Sequence, residues 1–301
     1  MTGELCGLAA AACWAVGSLL FSRIGRTTAP EVMNLGKSIA AGSLLVLTAI
    51  VLGWRGSMSG VAFGWLFASA LAGITVGDTA YFGALVRLGL APAVLLLSSA
   101  PVFTAMGGWV FLGESLDANE AAGIAAVTAG IALVVTAPAS ELSADARRTG
   151  RWGAGVALGL LAALGQAGGS LLSKQAMLSG VGPAETGGLR LLLGGTVLGL
   201  VLVARSRVAA TVRELTTGRR WLRIAGASML GSYAGIWLAQ VAISRAKTTG
   251  IAATLLATSP IFALPIARLA GETIRLRAVA GALLGVGGVA LLTLGDAILG
   301  R

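Results

Sequence analysis

Ser99–Ala105 reads SAPVFTA and Thr258–Leu264 reads TSPIFAL. Each copy puts a proline, Pro101 or Pro260, deep in an apolar run. Each is followed by an acidic landmark, GES at Gly113–Ser115 and GET at Gly271–Thr273. Working outward, the pairing continues. GSLLFSR at Gly17–Arg23 resembles GSLLSK at Gly169–Lys174. Pro30 stands seven residues before Lys37, and Pro183 stands seven before Arg190. These landmarks keep one order, offset by 152 to 159 residues. Coincidence among Gly/Ala/Leu-rich runs does not keep order, so the chain is read as two repeats, 1–140 and 150–301.

The composition says what the repeats are made of. Of 301 residues, 56% are hydrophobic and 11% charged, with a mean hydropathy of +0.89. A soluble domain carries about 25% charged residues. So few charges cannot cover a water-facing surface, which excludes a soluble globular protein, a disordered chain and a collagen. Charge-free gaps of at least 18 residues occur at 5–22, 56–77, 88–113, 121–140, 152–173, 224–244, 248–267 and 278–295. A transmembrane helix needs about 20 mostly apolar residues. Two shorter stretches, 38–54 and 191–204, reach that length if Lys37 and Arg190 are counted inside them. The expected fold is an all-α polytopic membrane protein of ten transmembrane helices. Five per half is an odd number, so the second half enters from the opposite side as an inverted repeat, a common transporter architecture.

Counting also removes chemistries. There is no histidine, so His-based metal sites and Ser/His or Cys/His catalysis are absent. Cys6 and Cys13 lie two helical turns apart, about 10 Å, too far for a disulfide. No metal, cofactor or catalytic set is expected, and glycine-rich nucleotide loops fail because no strand precedes them. The net charge of +10 reads as membrane topology rather than nucleic-acid binding, because the cations sit between the apolar runs. The N-terminus lacks the basic start of a signal peptide, so the first apolar run is expected to stay as a span.

Ionisable residues inside spans are functional candidates by default. Lys37, Asp78 and Arg190 qualify. Lys37 and Arg190 each cut a span short at matching places in the two halves, the sequence pointer to a transporter site. They suit capture of a carboxylate or phosphate; the plainer alternative is snorkelling to the headgroups. Asp78, in GITVGDTAYFGAL, either pairs with Lys37, faces water or carries a proton. The matching stretch LGSYAGIWLAQ holds Ser232 and Tyr233 but no acid. If Asp78 neutralises Lys37, Arg190 is the cation left for an anionic substrate. Tyr81, three residues after Asp78 on one helical face, together with Tyr233, Trp237 and Gln240, completes the expected substrate-binding set. Trp14, Ser18, Asn34 and Gln166 are further polar or aromatic span residues. Pro101 and Pro260 each remove a backbone hydrogen bond and are read as paired hinges, with Ser98, Ser99, Thr258 and Ser259 able to satisfy freed carbonyls. Glu114, Asp117, Glu120 and Glu272 read as solvated loop or cap acids. Gly153, Gly155 and Gly159, and Gly281, Gly285, Gly287 and Gly288, read as packing faces.

Ten spans in two five-helix halves, with a Pro-φ-Phe and then Gly-Glu-Ser/Thr in each, resemble the EamA family of the drug/metabolite transporter superfamily. The resemblance covers nearly the whole chain. The second copy departs from the first in being one residue shorter from proline to glutamate and in carrying Pro265 and Arg268. The resemblance implies a secondary transporter, often an exporter, of a small polar or zwitterionic metabolite such as an amino acid, and the Arg-over-Lys bias of 19 to 3 points to a GC-rich bacterial genome and so to the inner (plasma) membrane. Its partners would be that small-molecule substrate, the lipid bilayer and, as a coupling ion, protons, with no nucleic acid. The other reading within the superfamily is a flippase for lipid-linked substrates. An intramembrane enzyme is disfavoured because no nucleophile and base converge.

Orientation follows from the loops. Numbered from the N-terminus, odd loops carry 15 Lys/Arg, while even loops and the C-terminus carry 5. The positive-inside rule then places odd loops in the cytoplasm and both termini outside.

Overall fold

The computed structural model describes residues 2–54, 56–103, 106, 118–136, 150–245, 255–269, 271, 274 and 276–298. These residues form helices and the turns between them, with no strand among them. The first half holds α1 (Thr2–Ile24), α2 (Pro30–Val51), α3 (Gly60–Leu88), α4 (Leu90–Phe103) and α5 (Ala118–Thr136). The second holds α6 (Arg151–Leu178), α7 (Pro183–Ala204), the short α8 (Val208–Thr216), α9 (220–245), α10 (Ser259–Leu269) and α11 (Leu276–Ile298). Among the described residues five helices (α1, α2, α3, α6 and α7) are long and apolar enough to cross a membrane. Shorter apolar helices occur within α4, α5, α10 and α11. GES with its Glu114, the Glu272 and Thr273 of GET, and Asp117 lie outside the described residues, as does the side chain of Glu120.

Local sequence explains the helix starts. Pro30 and Pro183 each occupy the first turn of their helix, with Glu31 and Glu185 beside them. Proline is tolerated there because the first N–H groups have no helical acceptor, and an acid favours the positive end of the dipole. Lys37 and Arg190 therefore lie two turns inside continuous helices, and both are buried. The apolar stretches do not begin after these cations; the helices run through them.

Two helices change their winding at matching places. Ala70–Asp78 of α3 and Met229–Ala234 of α9 are π-helical. π segments leave backbone groups to be re-satisfied and recur at functional sites. Asn34 does so here: its Nδ2 donates to the Ile74 carbonyl at 2.7 Å and to Thr79 Oγ1 at 2.8 Å. The prolines also behave as a pair. The helices turn at 98–99 and at 257–258 and resume just before Pro101 and Pro260. Val102 N–H reaches the Ser99 carbonyl, and Ile261 N–H reaches that of Thr258. Ser98, Ser99, Thr258 and Ser259 hydroxyls bond the carbonyls of Val94, Leu96, Leu255 and Leu256. Each proline thus opens a new helical segment rather than bending a continuous one.

The halves interlock across the middle. α1 packs on α9 and α3 packs on α6; α2 faces α7, α4 faces α10 and α5 faces α11. Exchanging the halves turns the α1–α9 contact into the α3–α6 one and returns each of the other three to itself. Glycine makes two crossings possible. A Cβ added to Gly17 would lie 2.4 Å from Gly231 Cα, and one added to Gly169 would lie 2.9 Å from Gly73 Cα. Of the expected packing glycines of α6 and α11, Gly155 meets Leu88, Gly159 meets Leu96, Gly285 meets Leu95 and Gly288 meets the backbone of Gly123 and Val127. Gly153 and Gly287 instead face open space.

One end of the bundle is closed. Phe21, Met33, Phe82, Leu85, Leu88, Leu90 and Ile224 form a continuous buried cluster. Over it, α8 holds the start of α2: Glu214 accepts the Ala29 N–H at 2.6 Å, and Arg207 meets Glu31 at 3.0 Å. The 25–29 and 205–207 connections therefore share a face.

Candidate functional site

Above that plug lies a cavity of about 440 Å³. Its wall is mainly apolar, contributed by α1, α2, α3, α4, α6, α7, α9 and the stretch entering α10. Lys37, Asp78, Tyr81, Arg190 and Gln240 all line it, as do Trp14, Ser18, Gln166 and Lys174. The fold brings together residues up to 245 positions apart in sequence, from Trp14 to Ser259.

Lys37 and Asp78 form an ion pair and hydrogen bond across α2 and α3. Lys37 is 3% exposed and its Nζ also stands 5.5 Å from the Phe82 ring centroid. The ammonium thus has both a carboxylate and an aromatic face, and it does not reach for headgroups. Asp78 ends the π segment of α3. Tyr81 is tied down by a 2.6 Å hydrogen bond between its hydroxyl and Ser18 Oγ.

Arg190 is different. It is 5% exposed, and its Nε has no hydrogen-bond partner. Its guanidinium lies over the crossing of α3 and α6: a Cβ at Gly73 or Gly169 would come within 2.8 or 2.9 Å of Nη2. Glycine at both positions makes room for this side chain. Gln240 is 2% exposed and its Oε1 is likewise unpartnered.

Two expected site residues do not line the cavity. Tyr233 and Trp237 pack with Ala41, Leu45, Ile74 and Leu191, their rings 5.9 Å apart. Tyr233 OH is 3.0 Å from Thr48 Oγ1. The reason is helical phase: along the α-helical stretch after the π segment, Ile236, Ala239, Gln240 and Ile243 share the face on the cavity, and Trp237 lies about 100° round from Ile236. Pro101 borders the cavity, whereas Pro260 is buried behind it, and Ser259 lines it. Ser18 and Gln166, by residue type ordinary span polar groups, also face the cavity; the repeated GSLL phrase beside them is their one signal in the sequence. Among the described residues no group of three His, Cys, Asp or Glu could hold a metal ion.

A bundle of apolar helices around a chamber with buried charges is the build of a membrane transport protein. The EamA-like transporter family matches residues 1–136 and 153–294. The chain belongs to that family, and so to the drug/metabolite transporter superfamily. It is a multi-pass membrane protein, and members of its family are transporters rather than enzymes. No curated protein matches. A solved structure described only as "Crystal structure of protein" is similar over 99% of each chain, with a TM-score of 0.67 and 17% identity. That likeness concerns the fold alone.

Proposed function

We propose that this protein is a secondary transporter, working as an exporter, that carries a small polar metabolite through the cavity by alternating access. The observation that carries the reading is the chamber's charge arrangement: a paired Lys37 and Asp78, and a buried Arg190 with an unpartnered Nε. A buried guanidinium nitrogen left without a hydrogen bond is costly, and a passing carboxylate would relieve that cost. Lys37, Asp78, Tyr81, Arg190 and Gln240 are the substrate-facing residues. Tyr233 and Trp237 act behind them as packing.

The two halves, 1–140 and 150–301, act as inverted repeats in this reading. Support comes from the family match to each half and from the matched π segments, proline breaks and glycine crossings. Odd loops face the cytoplasm of a bacterial inner membrane, so the plugged end is the cytoplasmic one. Pro101 and Pro260 mark hinges beside the chamber, and protons are the coupling ion. Efflux of a metabolite panel from proteoliposomes, with and without a pH gradient, tests the proposal. The expected result is efflux of at least one carboxylated compound, lost in Arg190→Gln. A protein that moves nothing in the panel, or an Arg190→Gln variant as active as the original, defeats it.

A further inference from the structure

Two residues of the chamber wall each carry a buried atom without a partner, and the two atoms ask for different things. Arg190 offers only donors, so its buried Nε takes an acceptor, best an anion. Gln240 Oε1 only accepts, so it takes an N–H or O–H. The two sit on neighbouring helices, and Gly187, on the turn of α7 before Arg190, is placed so that a Cβ there would stand 3.9 Å from Gln240 Cγ. An occupant that satisfies one atom and not the other leaves a buried polar group unmade, the costly case for hydrogen bonds.

Charge narrows the occupant further. Asp78 is the one carboxylate among the described lining residues, and it is bound to Lys37. Arg190 has no ion pair among the described residues. Lys174, the other lining cation, has an interaction of its own; a monoanion then brings the Lys37, Asp78 and Arg190 charges to neutrality. A zwitterion leaves that sum positive and carries an ammonium to a wall whose carboxylate is already engaged. A cation adds like charge. The rest of the wall near these residues, including Leu97, Ile236 and Ile243, suits an apolar tail.

Resting on the reading of this chain as a small-metabolite transporter, we propose that the chamber selects monoanionic carboxylates that carry a neutral hydrogen-bond donor beside the charge. Hydroxy acids and N-acylated amino acids are such compounds. The carboxylate sits on Arg190 and the donor on Gln240 Oε1.

Four compounds with one carbon skeleton test this: 2-hydroxy-4-methylpentanoate, 4-methylpentanoate, leucine and leucinamide. Binding is measured on the purified full-length protein in lipid nanodiscs, and efflux in proteoliposomes. The hydroxy acid should bind ~tenfold more tightly than 4-methylpentanoate, the size expected for one hydrogen bond. It should bind at least about tenfold more tightly than leucine, and leucinamide should not bind. Gln240→Leu should bring the ratio of hydroxy acid to 4-methylpentanoate down to about one. That ratio is internal to each preparation, so a change in yield does not affect it. Leucine binding as tightly as the hydroxy acid, or a ratio that survives Gln240→Leu, overturns the proposal, as does binding of none of the four. Arg190-dependent efflux of leucine would overturn the selectivity while leaving the transporter reading intact. Absence of efflux for a wide metabolite panel would defeat that reading instead.

Discussion

Lys37 and Asp78 stabilise the chamber only as a pair. Removing one partner of a buried ion pair costs about 3–5 kcal/mol because the other charge is stranded. Asp78 keeps 22% of its side-chain exposure, which places Lys37→Ala toward the lower end of that range. The double variant Lys37→Ala/Asp78→Ala strands nothing and should be more stable than Lys37→Ala alone, as read by thermal melting in detergent. A double variant no more stable than the single one would make the two charges independent. Asp78→Asn addresses coupling. If protons travel on Asp78, exchange of substrate should persist while the response to a pH gradient disappears in proteoliposomes. Tyr81→Phe should leave Ser18 without its partner and cost about 1 kcal/mol in the same melting assay.

At the scale of elements, the glycine crossings fix how α1 meets α9 and α3 meets α6. Each holds two backbones together where a methyl group would collide with a Cα atom. Gly17→Ala should therefore destabilise by about 1–3 kcal/mol through overpacking. Gly60→Ala, where a Cβ meets open space, is the control and should melt like the original. Gly169→Ala has a second consequence, since the added methyl also meets the Arg190 guanidinium. Its carboxylate affinity should fall in a binding titration, unlike that of Gly17→Ala.

For the whole molecule the prediction concerns topology. Single cysteines at Thr27 and Gly180, in a background with Cys6 and Cys13 replaced by alanine, should be labelled by an impermeant reagent from opposite faces of the membrane. Labelling of both from one face would contradict the inverted repeat. A reporter fused after Arg301 that is active only in the cytoplasm would reverse the orientation without touching the repeat.

Much of this was readable from the one-dimensional chain. Membrane residence follows from hydropathy, because hydrocarbon admits only backbones whose polar groups bond internally, and the repeat follows from ordered landmarks such as Pro30–Lys37 and Pro183–Arg190. Lys37, Asp78 and Arg190 could be singled out because charge in a span is too costly to be casual. Which of the aromatic and amide residues face the chamber was not readable. That depends on helical phase, and the π segments at Ala70–Asp78 and Met229–Ala234 reset the phase where sequence gives no mark of them. Tyr233 and Trp237, expected in the site by residue type, pack behind the wall against Ala41, Leu45, Ile74 and Leu191, while Gln240 stays on it. Tertiary structure alone decided that Arg190 lies over two glycines from α3 and α6, because that contact exists only once three separate stretches of chain are brought to one place.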